Sequence, residues 1–151
     1  MSELIIREIG QDDDFGHWFH ELLESEATES SIGPSDDRYL VLSNEIGDWI
    51  GGLRFSLRGG VAQLIEIGIS PAERSQGHAH RLLAAFELRA TQEAAHLAEF
   101  WTDDLGAEGL LSALGWHRVM LRESYLGGRA WLLMEKRLKE VGQTDGRAGG
   151  Q

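Results

Sequence analysis

The chain contains no cysteine, which excludes disulfides, thiolate nucleophiles and cysteine-held zinc. Lysine is nearly as scarce. Lys136 and Lys139 are the only two, so a phosphate loop of the Walker type has no lysine to work with. Positive charge is short overall: 14 Lys and Arg stand against 25 Asp and Glu, a formal net charge of -11. A nucleic-acid partner requires a basic face to neutralise phosphates, and none is legible, so nucleic acid is excluded as a partner. No run approaches the roughly 18 apolar residues that span a bilayer. The opening M-S-E-L-I-I-R-E lacks the basic and apolar regions of a secretory leader, so no membrane partner is expected and the expected setting is soluble and cytoplasmic.

What remains is a chain of 151 residues, 42% hydrophobic, sized for one domain with one core. It is organised around Leu64 to Phe86. Ile65, Ile67 and Ile69 alternate with Glu66, Gly68 and Ser70, the period of a pleated strand, and Pro71 ends it by removing a ladder donor. Past Gly77 the period changes: Ala79, Leu82, Leu83, Phe86, Ala90 and Ala94 gather on one face of a long helix. A strand that enters a helix through a tight glycine loop leaves unpaired N–H groups at the helix start, where an anion is favoured.

Before that stretch, Leu4 to Arg7 read as a first strand. Asp12 to Asp14 then cap a helix whose Phe15, Trp18, Phe19, Leu22 and Leu23 repeat at helical spacing. His17, His20 and Glu21 share metal-like spacing but read as a solvated helix face, so no metal is expected. Residues 24 to 37 form an acidic loop carrying Glu24, Glu26, Glu29, Asp36 and Asp37. Tyr39 to Leu42 and Trp49 to Arg58 are strands, and Gly59-Gly60 turns the chain into the next one, giving an antiparallel meander. After the long helix, Leu97 to Thr102 is a strand, a short helix ends at Gly115, and Val119 to Glu123 with Ala130 to Met134 close a hairpin around Gly127-Gly128. The domain therefore runs over 1–138. The polar, glycine-rich tail 139–151 is expected to be disordered.

Arg74-x-x-Gly77-x-Ala79 resembles the pyrophosphate-binding signature of the GCN5-related N-acetyltransferases (GNAT), and Ile67-Gly68-Ile69-Ser70-Pro71 resembles the strand before it. The element order from residue 4 to 138 is similar to that family throughout. The resemblance implies an α/β (α+β) fold: a mixed sheet of about seven strands, splayed between the fourth (64–70) and fifth (97–102) and flanked by helices. It also implies acetyl-CoA as acyl donor and, as acceptor, a small-molecule amine or a peptide amine that attacks the thioester directly. Ile67, Gly68 and Ile69 would hold the pantetheine arm. Arg74, Ser75, Gln76, Gly77, His78, Ala79 and His80 would surround the pyrophosphate, with Asp104 standing at a position that is usually asparagine. Gly68 is expected to be a bulge that frees backbone amides.

An alkylamine of pKa near 10.4 is neutral in roughly one molecule per few thousand at pH 7, so a base that takes its proton is worth about 10²–10⁴ in rate. Glu66 beside the cofactor residues and Glu99 on the fifth strand are the candidate bases; Gln63 replaces a glutamate found in other members and cannot serve. The general-acid tyrosine of many members is replaced by Leu111. Ser112 is adjacent but faces elsewhere, and Tyr125 is the tyrosine left to reach the thiolate, unless the thiolate leaves to solvent. The acidic loop points to a cationic acceptor, whereas Arg54 and Arg58 could instead hold an acceptor carboxylate or phosphate. A non-catalytic acyl-CoA-binding module on the same fold is the other reading. The exposed edge of the closing hairpin makes a homodimer reasonable.

Overall fold

The computed structural model describes residues 4–26 and 32–139. The chain divides into two compact units, Met1–Ile32 and Gly33–Gln151.

In the first unit, residues 4–12 carry neither helix nor strand. This corrects the strand expected at Leu4 to Arg7: β-prone side chains make a strand only where a neighbour completes the ladder, and among the described residues none pairs with these. Helix α1 (Asp13–Glu26) follows. Its start is fixed as the sequence indicates, because the Asp12 carboxylate accepts the Phe15 N–H at 2.9 Å and Asp13 and Asp14 supply first-turn negative charge. The Phe15 ring lies 5.6 Å from those of Trp18 and Phe19. His17 pairs with Glu21 at 3.1 Å and His20 with Glu24 at 3.5 Å, one helical turn apart.

The second unit is a mixed six-stranded sheet, close to the sheet of about seven strands expected. Its elements are β1 (Asp36–Ser43), β2 (Trp49–Arg58), β3 (Val61–Ile69), α2 (His78–Gln92), β4 (Leu97–Thr102), α3 (Ala107–Ala113), β5 (His117–Arg122) and β6 (Trp131–Arg137). The spatial order is β1-β2-β3-β4-β6-β5. All neighbours are antiparallel except β3 and β4, which run parallel and are joined by α2, because a parallel pair requires a crossover. Asp36 and Asp37 belong to β1, not to the acidic loop expected over 24–37. Glu24 is helical, and Glu29 lies outside the described residues, as does the tail from residue 140.

The core lies between one sheet face and the apolar stripe of α2. Leu82, Leu83, Phe86 and Ala90 are buried there against Phe55, Leu64, Phe100, Leu132 and Met134. Phe86 meets the Phe55 ring edge-on at 5.3 Å and stacks on Trp116 at 6.4 Å. One charged group is built into the core's margin. Lys136 Nζ donates to Glu87 Oε1 at 2.6 Å and to the Leu114 carbonyl at 2.7 Å, while Trp116 Nε1–H donates to Glu87 Oε2 at 3.3 Å. These bonds join α2, the end of α3 and β6.

A bulge in the β2–β3 pairing sets which side chains face this core. Arg54 opposes Glu66 and Phe55 opposes Leu64, so Ile65 is the extra residue. The irregularity lies there and not at Gly68, which pairs regularly with Gly52. Because the side-chain period is two, one inserted residue brings Ala62 and Leu64 onto the same face as Ile67 and Ile69, and moves Ile65 out of the alternation the sequence suggests. Urea denaturation should show Phe86→Ala destabilised by about 3–5 kcal/mol and Lys136→Met by about 2 kcal/mol, the latter through a stranded Glu87 carboxylate.

Candidate active site

The parallel pairing of β3 with β4 runs from Val61↔Leu97 to Leu64↔Phe100 and stops. Beyond it the strands separate, and the opening is lined from both faces of the sheet.

On the helix side is a cleft of about 760 Å³, walled by the end of β3, the loop 73–77, the first turn of α2, and Asp104, Ala107, Leu110 and Leu111 of the α3 region. Of the residues expected to contact the cofactor, Ile67, Gly68, Ile69, Arg74, Ser75, Gly77, His78, Ala79, His80 and Asp104 all line it; Gln76 does not, and its amide is held by Glu73 at 3.4 Å. Two left-handed residues shape the loop, Ser75 at φ 67° and Gly77 at φ 78°. Gly77 is the residue just before α2, so the unpaired N–H groups of the first helical turn open onto the cleft. A Cβ at Gly77 would meet nothing within 4 Å; glycine is required there by the backbone angle and by the approach it leaves free. Arg74 Nε donates to the Ile69 carbonyl at 3.1 Å, holding the loop to the strand end. His78 is 8% exposed, and neither ring nitrogen has a protein partner, so the cleft contains a buried polar group with hydrogen-bonding capacity to spare. Asp104 caps the approach to α3, accepting the Gly106 N–H at 3.1 Å.

On the opposite side is a smaller cleft of about 370 Å³, lined by Gln63, Leu64, Ile65, Glu66, Glu99, Phe100, Trp101, Leu126 and Trp131. Phe100 lines both clefts.

The sequence profile of the acetyltransferase (GNAT) family matches residues 5–116. The chain belongs to the GNAT acetyltransferase family. It is thus an acetyltransferase of a family whose donor is acetyl-CoA. No curated relative matches at the sequence level. Solved structures share the fold. An acetyltransferase from Bacillus cereus ATCC 14579 superimposes with a TM-score of 0.72 at 19% identity, covering 89% of this chain and 98% of that one. The ribosomal-protein-S18-alanine N-acetyltransferase of Escherichia coli gives 0.63 at 17% identity over 82% and 79%. Tetrahymena GCN5 gives 0.55 at 19% over 68% and 69%.

Within this GNAT chain the two candidate bases differ in their partners. Glu66, with its side chain 68% exposed, accepts from Arg54 Nε at 3.2 Å. Glu99 accepts from the neutral Gln63 amide at 3.1 Å. Tyr125 does not line the helix-side cleft; its ring packs 5.4 Å from Trp101 and 6.4 Å from Trp131, and the Arg122 guanidinium lies 4.9 Å above it. Leu111 is buried in the cleft wall, and Ser112 is exposed. Neither Arg54 nor Arg58 stands free, since Arg58 Nε donates to the Gly33 carbonyl at 3.0 Å. Among the described residues no group of three His, Asp or Glu could hold a metal ion.

Sequence reading missed Trp101, Trp131 and Leu126. Trp101 was within reach, because it stands two residues beyond Glu99 on one strand and so shares its face.

The α3 wall is fastened by Arg118, whose Nε and Nη2 donate to Glu108 at 2.9 and 2.7 Å. These bonds hold the Glu108 carboxyl below its ordinary range and raise Arg118. A depressed folded value contributes stability that is complete above the unfolded glutamate value, near about 4.3, and is lost as pH falls through the folded one. Arg118→Gln should therefore lose stability above about pH 5 and converge on wild type as pH falls through the depressed Glu108 value, read from urea midpoints against pH.

Proposed function

We propose that this chain transfers an acetyl group from acetyl-CoA to a primary amine, with the donor in the helix-side cleft and the amine in the opposite one. The observation that supports this reading is the meeting of two chemically different clefts at Phe100, where β3 and β4 cease to pair. On the donor side the fit rests on the first-turn amides of α2, the left-handed Ser75 and Gly77 and the unpartnered His78. The diphosphate would lie against residues 75–80, favoured by about 0.3–1 kcal/mol per helix terminus, and the pantetheine arm along Ile67 to Ile69. Acetyl-CoA supplies the activated thioester; the chain's residues position it and move protons.

The amine must lose a proton before or during attack, and Glu99 is the carboxylate placed to accept it. It lines the acceptor cleft and, among the described residues, accepts from the neutral Gln63 amide, whereas Glu66 is committed to Arg54. Tyr125 is buttressed among aromatic rings, and Leu111 has no proton to give, so the thiolate departs toward solvent or takes a proton relayed by water. A thiol of pKa near about 8.5 is a tolerable leaving group.

Calorimetry should show acetyl-CoA binding to wild type and none to Gly77→Glu, which sets negative charge and a strained backbone against the diphosphate. Wild type failing to bind would reject the reading. For catalysis, Glu99→Gln should lower kcat at least about tenfold with coenzyme affinity unchanged, and Glu66→Gln should do less. Two variants with wild-type turnover between pH 6 and 9 would leave water as the base.

A further inference from the structure

The acceptor-side cleft differs from the donor side in its two indoles, Trp101 and Trp131, which stand with Leu126 and the carboxylates of Glu66 and Glu99 around one opening. We infer that it is a cage for an alkylammonium group, with Trp101 and Trp131 supplying π faces and Glu99 the counter-charge. The inference rests on the acetyl-transfer reading above and specifies its acceptor.

Three arrangements carry it. The rings are held in place: Trp131 Nε1–H donates to the Leu126 carbonyl at 2.9 Å, and Tyr125 packs tilted against Trp101 and edge-on to Trp131 from behind. A ring whose N–H is committed to the backbone recognises a ligand through its face, and an indole face attracts cations. The cluster already carries one such contact, the Arg122 guanidinium over Tyr125, which leaves the two indoles to line the opening.

The charges agree. Glu99 and Glu135 are directly paired across β4 and β6, so they share a face, and Glu66 lies at the same opening. Arg54 engages Glu66, and Arg129 is taken by Asp103. Glu99 is bonded to the neutral Gln63 amide, which leaves its carboxylate open to a ligand. Such a site favours a cation and disfavours an acceptor with a carboxylate beside its amine. The cationic acceptor expected from the acidic loop thus has a better-defined basis here, since Asp36 of that segment is spent on Arg38.

The ammonium bound this way is the resting form of the acceptor. Glu99 would hold it by charge and take one N–H proton, which frees the nitrogen lone pair to attack the thioester carbonyl; as the C–S bond breaks the electron pair leaves on sulfur, and the second proton lost by the nitrogen passes to solvent or to the departing thiolate.

The test uses n-butylammonium, the neutral isostere n-butanol and a tripeptide amide with a central lysine, each titrated into the full-length nitrogen-labelled protein. Indole N–H resonances of Trp101 and Trp131 are followed by NMR, assigned through Trp101→Phe and Trp131→Phe. Expected are saturable shifts of both indoles with butylammonium bound at least about tenfold tighter than butanol, a fivefold or greater loss in Trp131→Ala, and partial retention in Trp131→Phe. Glu99→Gln should weaken the amine and leave butanol unchanged. Tighter binding of the peptide would assign the ammonium to a protein acceptor, and tighter binding of butylammonium to a small molecule. Equal affinity for amine and alcohol, or indole resonances that do not move, overturns the cage. Acetyl-CoA binding measured on the same samples separates the two readings, because the cage can fail while coenzyme still binds.

Discussion

Everything at the candidate site depends on where one strand pair ends. β3 and β4 are hydrogen-bonded over four residue pairs and then diverge, although β3 continues to Ile69 and β4 to Thr102. A sheet pair that remained zipped would bury its backbone groups against each other and close the passage between its faces. Divergence leaves the last residues of β3 paired only on the β2 side, gives the helix-side cleft its strand wall, and lets Phe100 touch the space on both sides. The crossover helix α2 makes this possible, since it begins at the open end and its buried stripe of Leu82, Leu83, Phe86 and Ala90 fixes that start relative to the sheet.

The bulge at Ile65 is the second determinant. It changes the phase of β3 midway, so Ile67 and Ile69 face the helix-side cleft while Ile65 and Glu66 line the other. Without it, Leu64 and Ile67 would lie on opposite faces and one apolar side chain would be turned into the wrong environment. The same inserted residue brings Glu66 opposite Arg54, and the resulting ion pair distinguishes it from Glu99.

The family resemblance and the particular chemistry of this chain diverge at α3. Leu111 is a core residue here, buried at 1% exposure in the cleft wall, and the hydroxyl-bearing Tyr125 is absorbed into an aromatic cluster on the far face. On the helix side, His78 is the buried polar group without a hydrogen-bond partner among the described residues. Glu99, Trp101 and Trp131, by contrast, line one cleft together on the other side of the sheet.

The sequence by itself determined the order of elements from β1 onward, the strand-loop-helix join with glycine at 77, the ends of β4 and the stop of α3 near Gly115. Each rests on local physics: side-chain period, a proline that cannot donate, a glycine at positive φ. The family resemblance named ten of the cleft-lining residues, nine of them within the contiguous stretch 67–80 and Asp104 apart from it. Leu4 to Arg7 has the composition of a strand without the ladder, since pairing is a property of two segments. Only the tertiary structure decided the bulge at Ile65, which depends on register against β2. It also decided the partners of Glu66 and Glu99, which come from β2 and β3, and the grouping of Trp101, Tyr125 and Trp131. Those contacts join residues distant in sequence, and no local period encodes which neighbour a side chain will meet across a sheet.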